Sequence, residues 1–213
     1  MSYSPALLAS LITTSQETIT ANADAVTALD QAIGDGDHVI NLQRGLDALM
    51  LQREELSQLQ DWATAWQKIG MTIMSTVGGA SGSLLGTLFV SMSKAARGQS
   101  LNQQTFAAIF SAGVEAVKQR GKSDAGEKTM LDVLIPVAAY LQQAATDGVS
   151  LSEVLQYVSQ VAIAGMESTR DMIATRGRAS FLEERTRGHI DAGAKSSQLI
   201  ICAVVMVLIT VRA

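Results

Sequence analysis

Asp30, Asp35 and Asp37 place three carboxylates within eight residues, interleaved with Gly34 and Gly36. Carboxylates this close repel one another unless solvent or a cation stands between them. Hard divalent cations take oxygen ligands, and Mg²⁺ commonly uses one or two carboxylates together with substrate phosphates. The two glycines let the backbone turn sharply enough to aim all three side chains inward. An EF-hand does not fit: counted from Asp35, Ile40 stands at the glycine position and Leu46 at the closing glutamate position. The competing reading is a solvated acidic loop in which Asp37 caps the next helix.

A second feature is Gly78-Gly79-Ala80-Ser81-Gly82-Ser83, followed by an apolar stretch. Small residues let an anion approach backbone N–H groups, and a helix N-terminus adds partial positive charge. Ser81 brings a hydroxyl as well. Tight helix–helix packing is the alternative use of such a run. It is not a Walker A loop, because the Gly121-Lys122-Ser123 sequence would need glycine at 116, where Ala116 stands. No dinucleotide fingerprint follows a strand. A third feature is Arg176, Arg178, Arg185 and Arg187, then His189 and Asp191. Arginines beside an acidic metal loop suit a polyphosphate lying between them, whereas a flexible charged loop is the plainer reading. His38 is placed either to meet a phosphate or to cap a helix. Cys202, in the most apolar segment, reads as a buried inert thiol.

The elements that carry these residues read as all-α. Apolar residues recur at helical spacing along Leu151, Val154, Leu155, Val158, Val161, Ala162, Gly165 and Met166, and again along Trp62, Ala65, Trp66, Ile69 and Ile73. Ser4 before Pro5 marks a helix start, and Ser100 with Gln103 and Ser150 with Glu153 fit the capping-box spacing. Eight helices are predicted, at 5–27, 39–54, 58–76, 81–97, 101–120, 128–146, 151–175 and 191–212. Pro136 falls inside the sixth. The connections after the second, fourth and sixth helices are bland, and those after the first, third, fifth and seventh hold the unusual chemistry. If consecutive helices run antiparallel, as short connections favour, alternate connections share one end and the chemistry converges there.

Composition narrows the class. The 213 residues are 47% hydrophobic and 4% aromatic, so aliphatic side chains must build the core of what reads as a single domain over 1–213. A net charge of −4 gives no sign of a nucleic-acid binder. One cysteine excludes an intramolecular disulfide, and two histidines with it make a tetrahedral zinc site untenable. The amino terminus lacks a basic region leading into an apolar core, so no signal peptide is expected. The apolar run Leu199–Val211 falls short of the roughly 20 residues of a bilayer span. It reads as a core helix of a cytoplasmic protein with no membrane partner.

The segments GDGDH, GGASG, KTMLDVLIPV, RGRASFLEER and GHIDAGAKSS, in this order and over the whole chain, resemble the nucleotide-binding L subunits of the dihydroxyacetone kinase family. The resemblance implies an eight-helix antiparallel up-and-down barrel with the nucleotide site at one end. It implies that Asp30, Asp35 and Asp37 hold two Mg²⁺ ions bridging the phosphates of ADP or ATP. His38 and Asn41 would contact the nucleotide, Gly79, Ala80 and Ser81 the phosphates, and Gly121 and Met130 the adenine. Arg178 would approach the phosphates, and Asp191 with Gly193 would close the site. The implied chemistry is in-line phosphoryl transfer to a short ketose held on a separate K subunit. A standalone subunit of this length points to ADP retained as a cofactor and rephosphorylated by a phosphotransferase-system protein. Val39, Ser83, Glu127 and Ala192 depart from the family pattern. The other readings are ATP as an exchangeable substrate, the related fatty-acid kinase domain, and a non-catalytic nucleotide sensor reporting to a transcriptional regulator.

Overall fold

The helical periodicity becomes nine α-helices among residues 4–211, the part of the chain that the computed structural model describes. They are α1 (Leu8–Ala21), α2 (Ala23–Ile33), α3 (His38–Ser57), α4 (Trp62–Thr76), α5 (Gly79–Ala96), α6 (Gln103–Gly121), α7 (Leu131–Thr146), α8 (Leu151–Ser168) and α9 (Ala192–Thr210). Short 3₁₀ segments occupy Pro5–Leu7, Thr169–Asp171 and Arg178–Thr186. No strand occurs among the described residues. The predicted last residue of the final helix, 212, and the first three residues of the chain lie outside the described residues.

The first predicted helix is two helices. It breaks at Asn22, whose side-chain amide donates to the Thr18 carbonyl at 2.9 Å and competes with the backbone ladder. The second piece runs on to Ile33, so Asp30 sits on a helix and not in a loop. Val26, Asp30 and Ile33 are spaced four and three apart and share a face; Val26 and Ile33 are buried, which turns Asp30 inward. The predicted capping box of Ser100 and Gln103 is replaced by Asn102 and Thr105, because Gln103 instead donates to the Val149 carbonyl at 2.9 Å. The Ser150–Glu153 box and the Ser4 cap before Pro5 form as predicted.

Eight of the helices pack in chain order, α1 on α3, α3 on α4 and so on to α8 on α9, and α9 returns to α1. Cross-contacts show neighbours running antiparallel. Thr13 meets Met50 and Gln16 meets Asp47 between α1 and α3, and Lys68 meets Glu55 and Thr72 meets Gln52 between α3 and α4, the numbers rising on one helix as they fall on the other. Pro136 lies inside α7 and cannot donate to the Asp132 carbonyl one turn earlier. There α8 packs tightly on α7 through Gly165, at which a Cβ would overlap the Asp132 carbonyl oxygen. Most apolar side chains form one central cluster, into which the Trp62–Trp66–Phe106–Phe110 series reaches from the end away from the acidic turn. A second cluster joins Ile19, Val26, Val39, Leu42, Ala192 and Leu199 and seats α2 against α3 and α9. Helix α9 is long and apolar enough to cross a membrane by composition, but half of its apolar window is buried within the protein.

Candidate functional site

The turn Gly34–Asp37 links α2 to α3. Asp30 from the last turn of α2, with Asp35 and Asp37, brings three carboxylates together, each offering an oxygen within 4.8 Å of the others. Asp37 occupies the N-cap position of α3 yet makes no side-chain capping bond. The cap is supplied by Asp30, whose Oδ2 accepts the His38 N–H at 3.0 Å. Asp37 therefore keeps its carboxylate for the cluster, contrary to the simple capping reading. Among the described residues the one cationic side chain paired with the cluster is Arg178, which meets Asp35 at 3.1 Å. The three carboxylates supply the oxygen ligands that a hard divalent cation takes, and Arg178 offsets part of their charge.

The second chemical segment lies alongside. Gly78 is the N-cap of α5, and Gly79 adopts φ +65°, a left-handed conformation natural to glycine. Ala80 and Ser81 fall in the first turn, where backbone N–H groups lack helical partners. Asn41 of α3 is buried against this turn, and a Cβ at Gly78 would stand 2.6 Å from its Oδ1. That oxygen also accepts from Arg44 at 3.3 Å.

His38 joins three helices. Its Nδ1 meets Ser81 Oγ at 3.2 Å and its Nε2 meets Ser196 Oγ of α9 at 2.9 Å. The Ser196 hydroxyl is committed to the Gly193 carbonyl at 3.1 Å. Ser196 Oγ therefore accepts from Nε2–H, and Nδ1 accepts from the Ser81 hydroxyl. Burial lowers the His38 pKa against the opposing pull of Asp30 and Asp37, which favours this neutral form. With its hydroxyl so engaged, Ser81 retains its backbone N–H as the donor facing an anion.

The connection between α6 and α7 and that between α8 and α9 meet on the other side of this end. Glu127 accepts from Thr175 Oγ1 at 2.9 Å and pairs with Arg176 at 3.1 Å. Asp191 caps α9, its Oδ2 accepting the Ala194 N–H at 2.7 Å. Gly193 lies against Met130, to whose backbone nitrogen a Cβ at 193 would be 3.7 Å. Part of Asp191 reaches solvent as a residue, but its carboxyl is enclosed. Desolvation raises its pKa to about 7, against the opposing effect of the Ala194 N–H and of Lys128. Gly121, at the end of α6, packs on Leu84 of α5. The neighbouring Arg120 donates to Ser83 at 2.8 Å, giving the unusual Ser83 a partner.

The arginine cluster is only partly assembled. Arg178 reaches the carboxylates, whereas Arg176 pairs with Glu127 and Arg187 with Glu184, and neither of those meets the acidic turn. Arg187 finds its carboxylate on its own loop, and Arg176 finds its on the turn before α7. His189 enters through its main-chain carbonyl, and Cys202 is half-buried beside the Gln198 amide. Sequence reasoning missed Ser196, Asp132 and Lys128. Asp132 is buried and accepts from Gly126 and Thr129 N–H at 2.5 and 2.7 Å, shaping the turn before α7. An aspartate and a lysine at the head of an apolar helix were the available signal.

A family model described as the DAK2 domain matches residues 32–206. A Listeria innocua protein named PEP-dependent dihydroxyacetone kinase 1, ADP-binding subunit DhaL, is 42% identical over 184 residues, covering 86% of this chain and 87% of its own. An Escherichia coli K12 protein named PEP-dependent dihydroxyacetone kinase, ADP-binding subunit DhaL, is 36% identical over 197 residues, covering 92% and 93%. Among solved structures, the dihydroxyacetone kinase from C. freundii in complex with AMP-PNP and Mg²⁺ superposes with a TM-score of 0.73 at 23% identity. This alignment covers 97% of the present chain and 34% of that one, and it supports the shared fold. A family model spanning most of the sequence, with relatives matched along most of their own length, makes this chain a member of the DAK2-domain family.

Proposed function

We propose that this chain is the nucleotide-binding subunit of a dihydroxyacetone-type kinase. It would bind ADP or ATP with two Mg²⁺ ions and pass a phosphoryl group to a short ketose held on a separate K subunit. The carrying observation is the Asp30–Asp35–Asp37 cluster at the same end as the N-terminus of α5. The three aspartates are the residues that would hold the metal, which when bound neutralises phosphate charge and favours in-line transfer. The first-turn N–H groups of α5, including those of Ala80 and Ser81, would receive phosphate oxygens. Arg178 would add a cation where negative charge develops, exchanging its bond to Asp35 for one to phosphate. His38, neutral and held by two serines, orients Ser81. Gly121 and Met130 would border the base, and Asp191 with Gly193 would close the remaining side.

The names of the relatives support ADP as a retained cofactor, recharged by a phosphoprotein of a PEP-dependent phosphotransferase system. A cytoplasmic location accords with that reading. The test is the nucleotide and magnesium content of freshly purified protein, followed by reconstitution. Near-stoichiometric ADP with about two metals per chain supports the retained-cofactor reading. An empty protein stabilised by Mg-ATP favours ATP exchange. No response to either nucleotide overturns the site, and binding without ketose phosphorylation alongside a cognate K subunit moves the reading to a sensor acting on a transcriptional regulator.

A further inference from the structure

Lys128 is the largest fully buried side chain among the described residues, and burial lowers the pKa of its ammonium from the ordinary lysine value, against the pull of nearby aspartates. Its backbone holds φ +61°, in the left-handed region that side chains seldom adopt. Nζ donates to the main-chain carbonyls of Thr169 and His189, and no carboxylate of the described residues lies within ion-pair distance of it. A buried ammonium without a direct counter-ion is costly, and an apolar residue would fill the space at lower cost. Filling space therefore does not account for a lysine here, and its two hydrogen bonds do.

Its two acceptors stand at the two ends of the long connection between α8 and α9. Thr169 begins the 3₁₀ segment after α8, and its Oγ1 accepts the Asp191 N–H at 3.1 Å. His189 lies two residues before Asp191, the cap of α9. The first turns of α9 present Gly193 to Met130 and Ser196 to His38. One ammonium thus closes a connection whose last residues seat the N-terminus of α9. The charged groups acting on Asp191 are Lys128 from the turn before α7, Asp132 from α7 and Asp30 from α2. Those acting on Lys128 are Asp191, Asp132, Asp171 and Arg170.

We propose that Lys128 is a positioning residue of the nucleotide site: its ammonium clamps the two ends of the 169–191 connection and so sets the Asp191 carboxylate and the start of α9 for nucleotide binding. The proposal rests on reading this end of the molecule as the Mg-nucleotide site.

The experiment compares wild type with Lys128→Met by calorimetric titration with Mg-ADP, after removal of bound nucleotide, across about pH 6 to 9. Lys128→Met is expected to weaken binding at least ~10-fold at neutral pH, and to move the pH midpoint of binding upward, because loss of a nearby cation raises the pKa of an acid. A general packing defect lowers the melting temperature without moving that midpoint. A dissociation constant within about twofold of wild type, with an unmoved midpoint, overturns the assignment. Should Lys128→Met fail to fold, the ¹⁵N ammonium resonance of Lys128 in wild type decides: a shift on adding Mg-ADP supports the clamp, and an unchanged signal overturns it. Failure of wild type itself to bind Mg-ADP sinks the nucleotide reading, whereas equal binding by wild type and variant sinks only the role of Lys128.

Discussion

Asp191→Asn should make the metal-free protein more stable at alkaline pH. Asparagine is as good an N-cap as aspartate, so the bond to the Ala194 N–H is retained while the ionisation is removed. In the folded protein the Asp191 pKa of about 7 stands well above the ordinary aspartate value of 3.8. Between those two values the folded state binds more protons than the unfolded state, so stability falls as pH rises from about 4 through about 7 and the loss is complete above it. The gap between them is worth about 4 kcal/mol, and local relaxation with water entry leaves roughly 2–4 kcal/mol to be realised. His38 acts in the opposite sense: burial lowers its pKa, so its contribution to stability grows as pH rises. The difference between wild type and Asp191→Asn cancels that effect. Urea unfolding of both proteins in chelator, at pH 5 and pH 8.5, measures the difference directly. At pH 5 the unfolded carboxyl is already ionised, so the variant should gain over wild type by roughly 1–3 kcal/mol on going to the higher pH. A difference that stays constant would refute an enclosed carboxyl at Asp191.

Other consequences can be checked as directly. Asp35→Asn removes one of three clustered carboxylates, and Mg-ADP affinity by calorimetry should fall at least ~100-fold; near-wild-type affinity would withdraw the metal assignment. Gly165→Ala forces a methyl into the Asp132 carbonyl where α7 and α8 touch, and should cost about 1–3 kcal/mol in urea unfolding. A neutral effect there would mean that the helices separate freely. Histidine ¹⁵N spectra of the metal-free protein at neutral pH should show His38 uncharged, with the proton on Nε2. An imidazolium, or a proton on Nδ1, would contradict the Ser81–His38–Ser196 order.

Local rules carried much of the architecture. Ser150 and Glu153 reach each other within one helical turn, so spacing alone located the start of α8. The break at Asn22 was missed because apolar periodicity runs through it, while the competing amide bond spans a single turn. The candidate site was legible at the level of connections. Antiparallel neighbours place alternate connections at one end, and contacts such as Asp35 with Arg178 and Glu127 with Arg176 unite those connections there.

What the sequence by itself determined was the all-α class, most helix boundaries, the acidic turn and the glycine-rich helix start, because each depends on residues within a few positions of one another. Tertiary structure alone decided which arginine meets the carboxylates, which tautomer His38 holds and why a lysine lies buried. Those outcomes depend on partners far apart in the chain, His38 and Ser196 being separated by 158 residues. Pairings of that kind exist only once packing has removed water and brought the helices together.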